Sequence, residues 1–139
     1  MSDASTTDAS TTDASTTNAR TEAAAHEKAK SAFGMVPNLI KEMSAHNPTV
    51  AYAYLDASAT MGEGVLSAKE EQVVILAISA YNDCHYCTKA HGAAGQAVGL
   101  SEETVNTLIS GGLPENDRYR ALVQASRRIL GMKLSDSLA

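Results

Sequence analysis

Two cysteines and two of the four histidines fall within nine residues, 83–91. If this stretch is helical, Cys84 and Cys87 are spaced i, i+3, and His91 follows Cys87 at i+4. The three side chains then share one face of the helix over about two turns. Two thiols at this spacing can form a disulfide, and a nearby imidazole can accept or carry a thiol proton. The stretch therefore contains the parts of a redox centre.

The residues just before the cysteines predict where that helix starts. Asn82 and Asp83 are good N-cap residues, so we expect Cys84 in the first turn. Free backbone N–H groups and the positive end of the helix dipole favour a thiolate there. The carboxylate of Asp83 acts in the opposite direction, because a second negative charge beside it is disfavoured. The sequence leaves the balance between these two effects open.

The length of 139 residues predicts one domain, and the composition, with 44% hydrophobic and 19% charged residues, predicts that it is globular. No apolar run approaches the ~20 residues of a membrane helix, and the polar N-terminus has no signal-peptide core. We therefore expect a soluble, cytoplasmic protein, where a Cys-x-x-Cys pair is more often catalytic than structural. The net charge of −5 argues against nucleic acid or an anionic membrane as a partner.

The N-terminus is a low-complexity repeat. Residues 2–18 contain Asp-Ala-Ser-Thr-Thr three times and no large apolar side chain. Because nothing there can offset the entropy lost on ordering, we predict a disordered tail over residues 1–20 and a helical domain over residues 21–139. The alternative is a targeting or docking peptide, although such peptides are usually basic or amphipathic.

Hydrophobic periodicity and end signals predict an all-α fold. The expected helices cover residues 22–33, 38–45, about 48–61, 67–81, 84–98 and 101–110, with a last one from residue 116 or 117. The segment 73–81 is apolar on nearly all sides, so its helix should be central and buried. One Phe, five Tyr and no Trp leave a core of smaller side chains, which suits closely packed helices.

Several residues outside the cysteine pair are predicted to be structural. His26 and His46 are expected at the surface, near helix ends. In the helix that carries the cysteines, small residues either let a neighbouring helix approach or merely weaken the helix; they are Ala90, Gly92, Ala93, Ala94, Gly95 and Ala97. One face of the last helix is expected to be apolar; it holds Tyr119, Leu122, Val123, Ser126, Ile129 and Leu130.

The region around the cysteines resembles the carboxymuconolactone decarboxylase/AhpD-like alkylhydroperoxidase family. The signature is L-S-x-x-E at residues 66–70 on a helix that runs into N-x-C-x-Y-C-x-x-A-H at residues 82–91. Residues 33–39 and 99–101 fit the same pattern, so the resemblance covers roughly residues 30–130 and is far more specific than a bare Cys-x-x-Cys. It implies an AhpD-like helical bundle that forms a trimer or hexamer, in a chain lacking the C-terminal helices of longer members.

The resemblance also implies a thiol-dependent peroxidase without metal or cofactor. In the AhpD-like scheme one thiolate attacks a hydroperoxide, the second thiol condenses with the resulting sulfenic acid, and an external dithiol or lipoylated carrier reduces the disulfide. By this resemblance Cys87 is the peroxidatic cysteine, Cys84 is more exposed and resolves it, and His91 accepts or relays the Cys87 proton.

Two departures from the family pattern concern the proton relay. The family's relay glutamate usually lies twelve residues before the first cysteine, where this chain has Gln72. Glu71 is adjacent but about 100° away around the helix, and it is the remaining candidate catalytic residue. Some members have histidine immediately before the second cysteine, where this chain has Tyr86, and His85 lies one position earlier. The relay is therefore either incomplete or differently built.

Four alternatives remain for the cysteine stretch. Cys84, Cys87 and His91 could bind zinc, although a fourth ligand is not evident. The same residues could simply be two buried cysteines and a core histidine. A lactone decarboxylase belongs to the same superfamily but does not depend on a Cys-x-x-Cys. A non-catalytic thiol redox sensor or oligomeric adaptor is the fourth alternative.

Overall fold

The computed structural model describes residues 20–131, which form seven α-helices and no strand. The helices are α1 (Glu22–Phe33), α2 (Asn38–His46), α3 (Pro48–Gly62), α4 (Ala68–Tyr81), α5 (His85–Ala97), α6 (Glu102–Ile109) and α7 (Asp117–Gly131). The predicted all-α class is confirmed. The predicted tail lies, except for its last residue, outside the described residues. Among residues 20–131, none of the helices combines the length and the hydrophobicity that a membrane crossing requires.

Side-chain caps fix the beginnings of three helices where the sequence predicts them. The Thr21 hydroxyl accepts from the Ala24 N–H at 3.2 Å, before α1. Ser67 and Glu70 form a reciprocal capping box before α4, with distances of 3.3 and 2.8 Å. The Ser101 hydroxyl caps α6 in the same manner. These bonds satisfy N–H groups that a helix start otherwise leaves without partners.

The chain divides into two compact units at residues 58 and 59. In the first unit, α1 packs against α2, and its core is made of small and aliphatic side chains: Ala25, Ala29, Ile40, Ala51 and Leu55. The prediction that His26 is a plain surface residue is wrong. It is half-buried, and its Nε2 lies 2.9 Å from the hydroxyl of the buried Ser44, which also donates to the Lys41 carbonyl at 3.1 Å.

In the second unit, α4 is central and packs against α5, α6 and α7, as predicted. Its buried side chains join those of α6, of α7 and of the connection before α6 in one cluster: Val73, Leu76, Ala77, Leu100, Val105, Leu108 and Val123. The prediction that Ile129 belongs to the apolar face of α7 is wrong, since it is 69% exposed. Ile129 follows the buried Val123 by six residues, which places its side chain about 120° around α7 from that of Val123.

Two glycines let α5 lie close to its neighbours. A Cβ at Gly92 would lie 3.4 Å from side-chain atoms of Val105 and Ile109 on α6. A Cβ at Gly95 would lie 3.0 Å from Leu100 Cδ1 and 3.7 Å from Gln72 Cβ on α4. The predicted close approach is therefore confirmed at these two positions. Other small residues of α5 are exposed, Ala90, Ala93 and Ala97 among them.

An ion pair joins the start of α4 to α7. Arg118 Nε donates to Glu70 Oε1 at 2.7 Å, and the Ser67 N–H donates to Glu70 Oε2. These hydrogen bonds, with that of Arg118 the strongest influence, lower the pKa of Glu70 from 4.5 to about 2. The carboxylate is therefore favoured in the folded chain relative to the unfolded one.

The stability of the second unit should depend on the ionisation of Glu70. Its contribution is present above pH 4.5 and is lost as the pH falls toward 2, because the folded pKa is the lower one. We expect Glu70→Gln to lower the free energy of unfolding at pH 7, by a small amount because the pair lies at the surface. The difference from the parent should shrink between pH 4.5 and 2 in urea titrations. The exposed Glu103→Gln is the matched control, and a pH-independent difference for Glu70→Gln would contradict the prediction.

Candidate active site

The turn between α4 and α5 places the first cysteine at the tip of α5. The Asp83 N–H donates to the Ala80 carbonyl and the Cys84 N–H to the Ser79 carbonyl, the hydrogen-bond pattern of a Schellman motif. Asp83 has the left-handed φ of 52° that this motif requires at its turning residue. Asn82 and Asp83 thus end α4.

Cys84 is itself the N-cap of α5, which begins at His85. Its Sγ accepts from the Cys87 N–H at 3.4 Å. The prediction that Asn82 or Asp83 caps this helix and that Cys84 lies in its first turn is therefore wrong. The reason is local: both polar residues are already used by the end of α4, so the first free side chain with an acceptor is that of Cys84.

Cys84 and Cys87 form a disulfide, with their Cα atoms 5.3 Å apart. Both residues are half-buried. The spacing i, i+3 across the N-cap and first turn of α5 brings the two sulfurs to bonding distance, as the sequence predicts. At this helix end, backbone N–H groups and the helix dipole favour negative charge on either sulfur after reduction.

His91 lies one turn after Cys87 on α5 and contacts α4 through Gln72. Its Nδ1 is 3.0 Å from Gln72 Oε1. A carbonyl oxygen only accepts, so Nδ1 carries the proton and Nε2 is the basic nitrogen. Burial lowers the pKa of His91, because the charged imidazolium loses its hydration there. The neutral imidazole is therefore favoured at neutral pH.

Gln72, and not Glu71, supplies the hydrogen bond to the histidine. Glu71 precedes it on α4 and is half-buried, and its Oε1 is buried without a hydrogen-bond partner in the part of the chain described. In the sequence, Gln72 stands out only as a departure from the family pattern. Its position twelve residues before the first cysteine was the signal that could have identified it as a site residue.

A model of the carboxymuconolactone decarboxylase family matches residues 48–126, more than half of the chain. The chain belongs to the carboxymuconolactone decarboxylase family. No curated protein and no solved structure matches it significantly. The matched region contains both cysteines, His91 and Gln72. Members of this family are enzymes, among them AhpD-like peroxidases and decarboxylases.

The surroundings of the disulfide in this family member are exposed and partly aromatic. Tyr81 and Tyr86, which flank the first cysteine in sequence, are 51% and 45% exposed. His85 points to solvent, with Nε2 3.9 Å from a carboxylate oxygen of the equally exposed Asp83. Within residues 20–131, no three histidine, cysteine or acidic side chains are arranged to hold a metal ion. The zinc alternative thus finds no support in the described chain.

Proposed function

We propose that this protein is a thiol-dependent peroxidase that reduces hydroperoxides through Cys84 and Cys87. The observation that carries the proposal is the disulfide at the tip of α5, one turn before a half-buried histidine whose Nε2 is basic. A lactone decarboxylase has no need for such a pair, so the disulfide favours the peroxidase among the activities of the family. Glu71 remains a candidate for the proton path, one position from the residue that holds the histidine.

The proposed catalytic cycle has three steps: attack on the hydroperoxide, formation of the disulfide and reduction of the disulfide. The Cys87 thiol gives its proton to His91 Nε2, and the thiolate attacks the terminal oxygen of a hydroperoxide ROOH. The O–O bond breaks, Cys87 becomes a sulfenic acid, and the alkoxide leaves as ROH with the proton that His91 returns. The Cys84 thiol then displaces water from the sulfenic acid, which forms the disulfide. An external dithiol reduces that disulfide by exchange and becomes oxidised itself.

The assignment of Cys87 as the attacking thiol rests on its distance from the base. On one helix, residues at i and i+4 are neighbours, with Cβ atoms about 5–6 Å apart. The Cα–Cβ bonds of a helix tilt toward its N-terminus, so the His91 ring leans toward the turn that carries Cys87. Cys84 is seven residues from the histidine and lies one further turn away.

The partners proposed for this site are a hydroperoxide and a dithiol, for which a lipoylated carrier is one candidate. Both cysteines are half-buried rather than enclosed, and Tyr81 and Tyr86, which flank Cys84 in sequence, are exposed, which favours access of a small dithiol to a sulfur. Self-association as a trimer or hexamer stays a prediction from the family resemblance, which light scattering at micromolar concentration can test.

Steady-state peroxide consumption with a panel of dithiols, including a lipoylated carrier, tests the proposed function. We expect continuous turnover with at least one dithiol, and none with the Cys84→Ser/Cys87→Ser double variant under the same conditions. The consumption of one equivalent without turnover, whichever dithiol is supplied, would refute the peroxidase and favour the redox sensor. A peroxide loss equal to that of the double variant would refute both.

A further inference from the structure

The hydrogen bond between His91 and Gln72 connects the histidine to an uncharged partner. The amide oxygen of Gln72 lies 3.0 Å from Nδ1. The stem of the same side chain lies beside Gly95, one turn further along α5, where a Cβ would be 3.7 Å from Gln72 Cβ. The glutamine therefore bonds to α5 through its amide at His91, and its stem lies near α5 at Gly95, where a larger residue would crowd it.

The charged residues that precede the glutamine on α4 are engaged elsewhere or point in another direction. Glu70 is bound to Arg118. Lys69 lies past the end of α5, where its Nζ would be 3.3 Å from a Cβ at Gly99. Glu71 is about 100° around the helix from the glutamine. The partner of His91 Nδ1 is thus an amide. The carboxyl group nearest to Gln72 in sequence is that of Glu71.

The other helix packed against α5 presents apolar side chains at Gly92, the residue that follows His91. Val105 and Ile109 of α6 are the side chains nearest to Gly92, the residue after the histidine. The acidic residues of α6, Glu102 and Glu103, lie in its first turn and are exposed. On α5 itself the other charged or titratable side chains outside the cysteine pair are exposed, His85, Tyr86 and Lys89.

We propose that Gln72 is a positioning residue that holds His91 as a neutral base with Nε2 free, so that the resting site contains a neutral thiol–imidazole pair. A carboxylate at the same position would stabilise the imidazolium, and the imidazolium would stabilise a standing thiolate on Cys87. The amide fixes the same ring orientation without adding this charge. The inference deepens the proposed function and rests on it only for the step in which peroxide reacts.

The Gln72→Glu substitution tests this inference, because it changes the charge with almost no change in shape. We expect it to raise the pKa of His91 and to move the alkylation profile of Cys87 to lower pH. Near pH 6 the alkylation rate should rise about tenfold, the equivalent of one pH unit in the thiol midpoint. The measurement is iodoacetamide alkylation against pH, in the reduced full chain with Cys84→Ser so that only Cys87 reacts.

Two further variants test whether the change comes from charge and hydrogen bonding at position 72, and not from a negative charge added anywhere on α5. The matched control is Gln96→Glu, the same change at an exposed position of α5, which should leave the alkylation profile in place. Gln72→Met keeps the length of the side chain but removes the acceptor. We expect it to mix the two neutral tautomers of His91, which imidazole ¹⁵N shifts measure directly, while the unmodified chain shows the Nδ1–H tautomer alone.

Two results would overturn the inference. One is an Nε2–H tautomer in the unmodified chain. The other is a Gln72→Glu profile identical to that of the parent, whether or not Glu71→Gln moves the profile. None of these measurements needs peroxide. If no variant turns over peroxide and the alkylation profile still shifts, the proposed function fails and the role of Gln72 stands. If peroxide turns over and the profile does not shift, the role of Gln72 fails alone.

Discussion

Cys87→Ser should abolish rapid peroxide consumption, whereas Cys84→Ser should still consume about one equivalent and stop as a sulfenic acid on Cys87. The reason is that only Cys87 has a base one turn away, and only Cys84 can resolve the oxidised sulfur. His91→Ala should slow the attack about a hundredfold near neutral pH, the lower end for a lost general base. Part of the rate should return in alkali, where the thiolate forms unaided.

Single-turnover peroxide consumption and sulfenate trapping in each reduced variant measure this prediction. His85→Ala is the matched control for His91→Ala, since His85 lies on the same helix but points to solvent, and it should keep the parent rate. Cys84 is the alternative attacking thiol, because at its N-cap position the Cys87 N–H can stabilise a Cys84 thiolate. A sulfenate trapped on Cys84 in the Cys87→Ser protein, at the parent rate, would reverse the order of the two thiols.

Leu76→Ala should lower the free energy of unfolding by about 2–5 kcal/mol. Leu76 is fully buried in the middle of α4, among side chains of the helices that surround it. Its truncation removes apolar contacts and leaves a cavity that close-packed neighbours can fill only in part. Denaturant titration followed by circular dichroism measures the change.

Leu113→Ala is the control for this truncation. Leu113 is 45% exposed, so the same chemical change there should cost less, about 0.5 kcal/mol. Equal losses for the two variants would show that Leu76 is not the centre of this core. Because the site residues Gln72 and His91 are held by α4 and α5, the Leu76→Ala protein should also lose peroxide consumption at temperatures near its unfolding transition.

The sequence was sufficient to predict helix boundaries wherever a short segment contains its own start and stop signals. The capping box at Ser67 and the Ser101 cap are decided by bonds over three residues, so α4 and α6 begin where they were predicted to begin. The stretch 73–81, which is apolar on nearly all sides, likewise predicted a central helix, because it has no broad polar face to turn toward water. The i, i+3 spacing allowed a disulfide between the two cysteines, but zinc binding and two buried free cysteines stayed open until the structure joined them.

The sequence was not sufficient where the same residues can end one helix or start the next, or where side chains of two helices meet. Asn82 and Asp83 are good residues for starting a helix, but they are equally suited to ending the one before. The left-handed φ of Asp83 shows that they end α4. The pairing of His91 with Gln72 depends on how α4 rotates against α5. A helical wheel separates Gln72 from Glu71 but does not say which of them meets the next helix.

The capping role of Cys84 has a consequence for how position 84 is probed. Alanine removes both the thiol and the hydrogen-bond acceptor at the tip of α5. Losing an oxygen N-cap typically costs about 1 kcal/mol, and losing the weaker sulfur acceptor should cost less. Serine removes the sulfur but supplies an oxygen that caps a helix well. A loss of activity in the alanine variant therefore combines the missing thiol with a weakened start of α5, whereas a loss of activity in the serine variant reports the missing thiol.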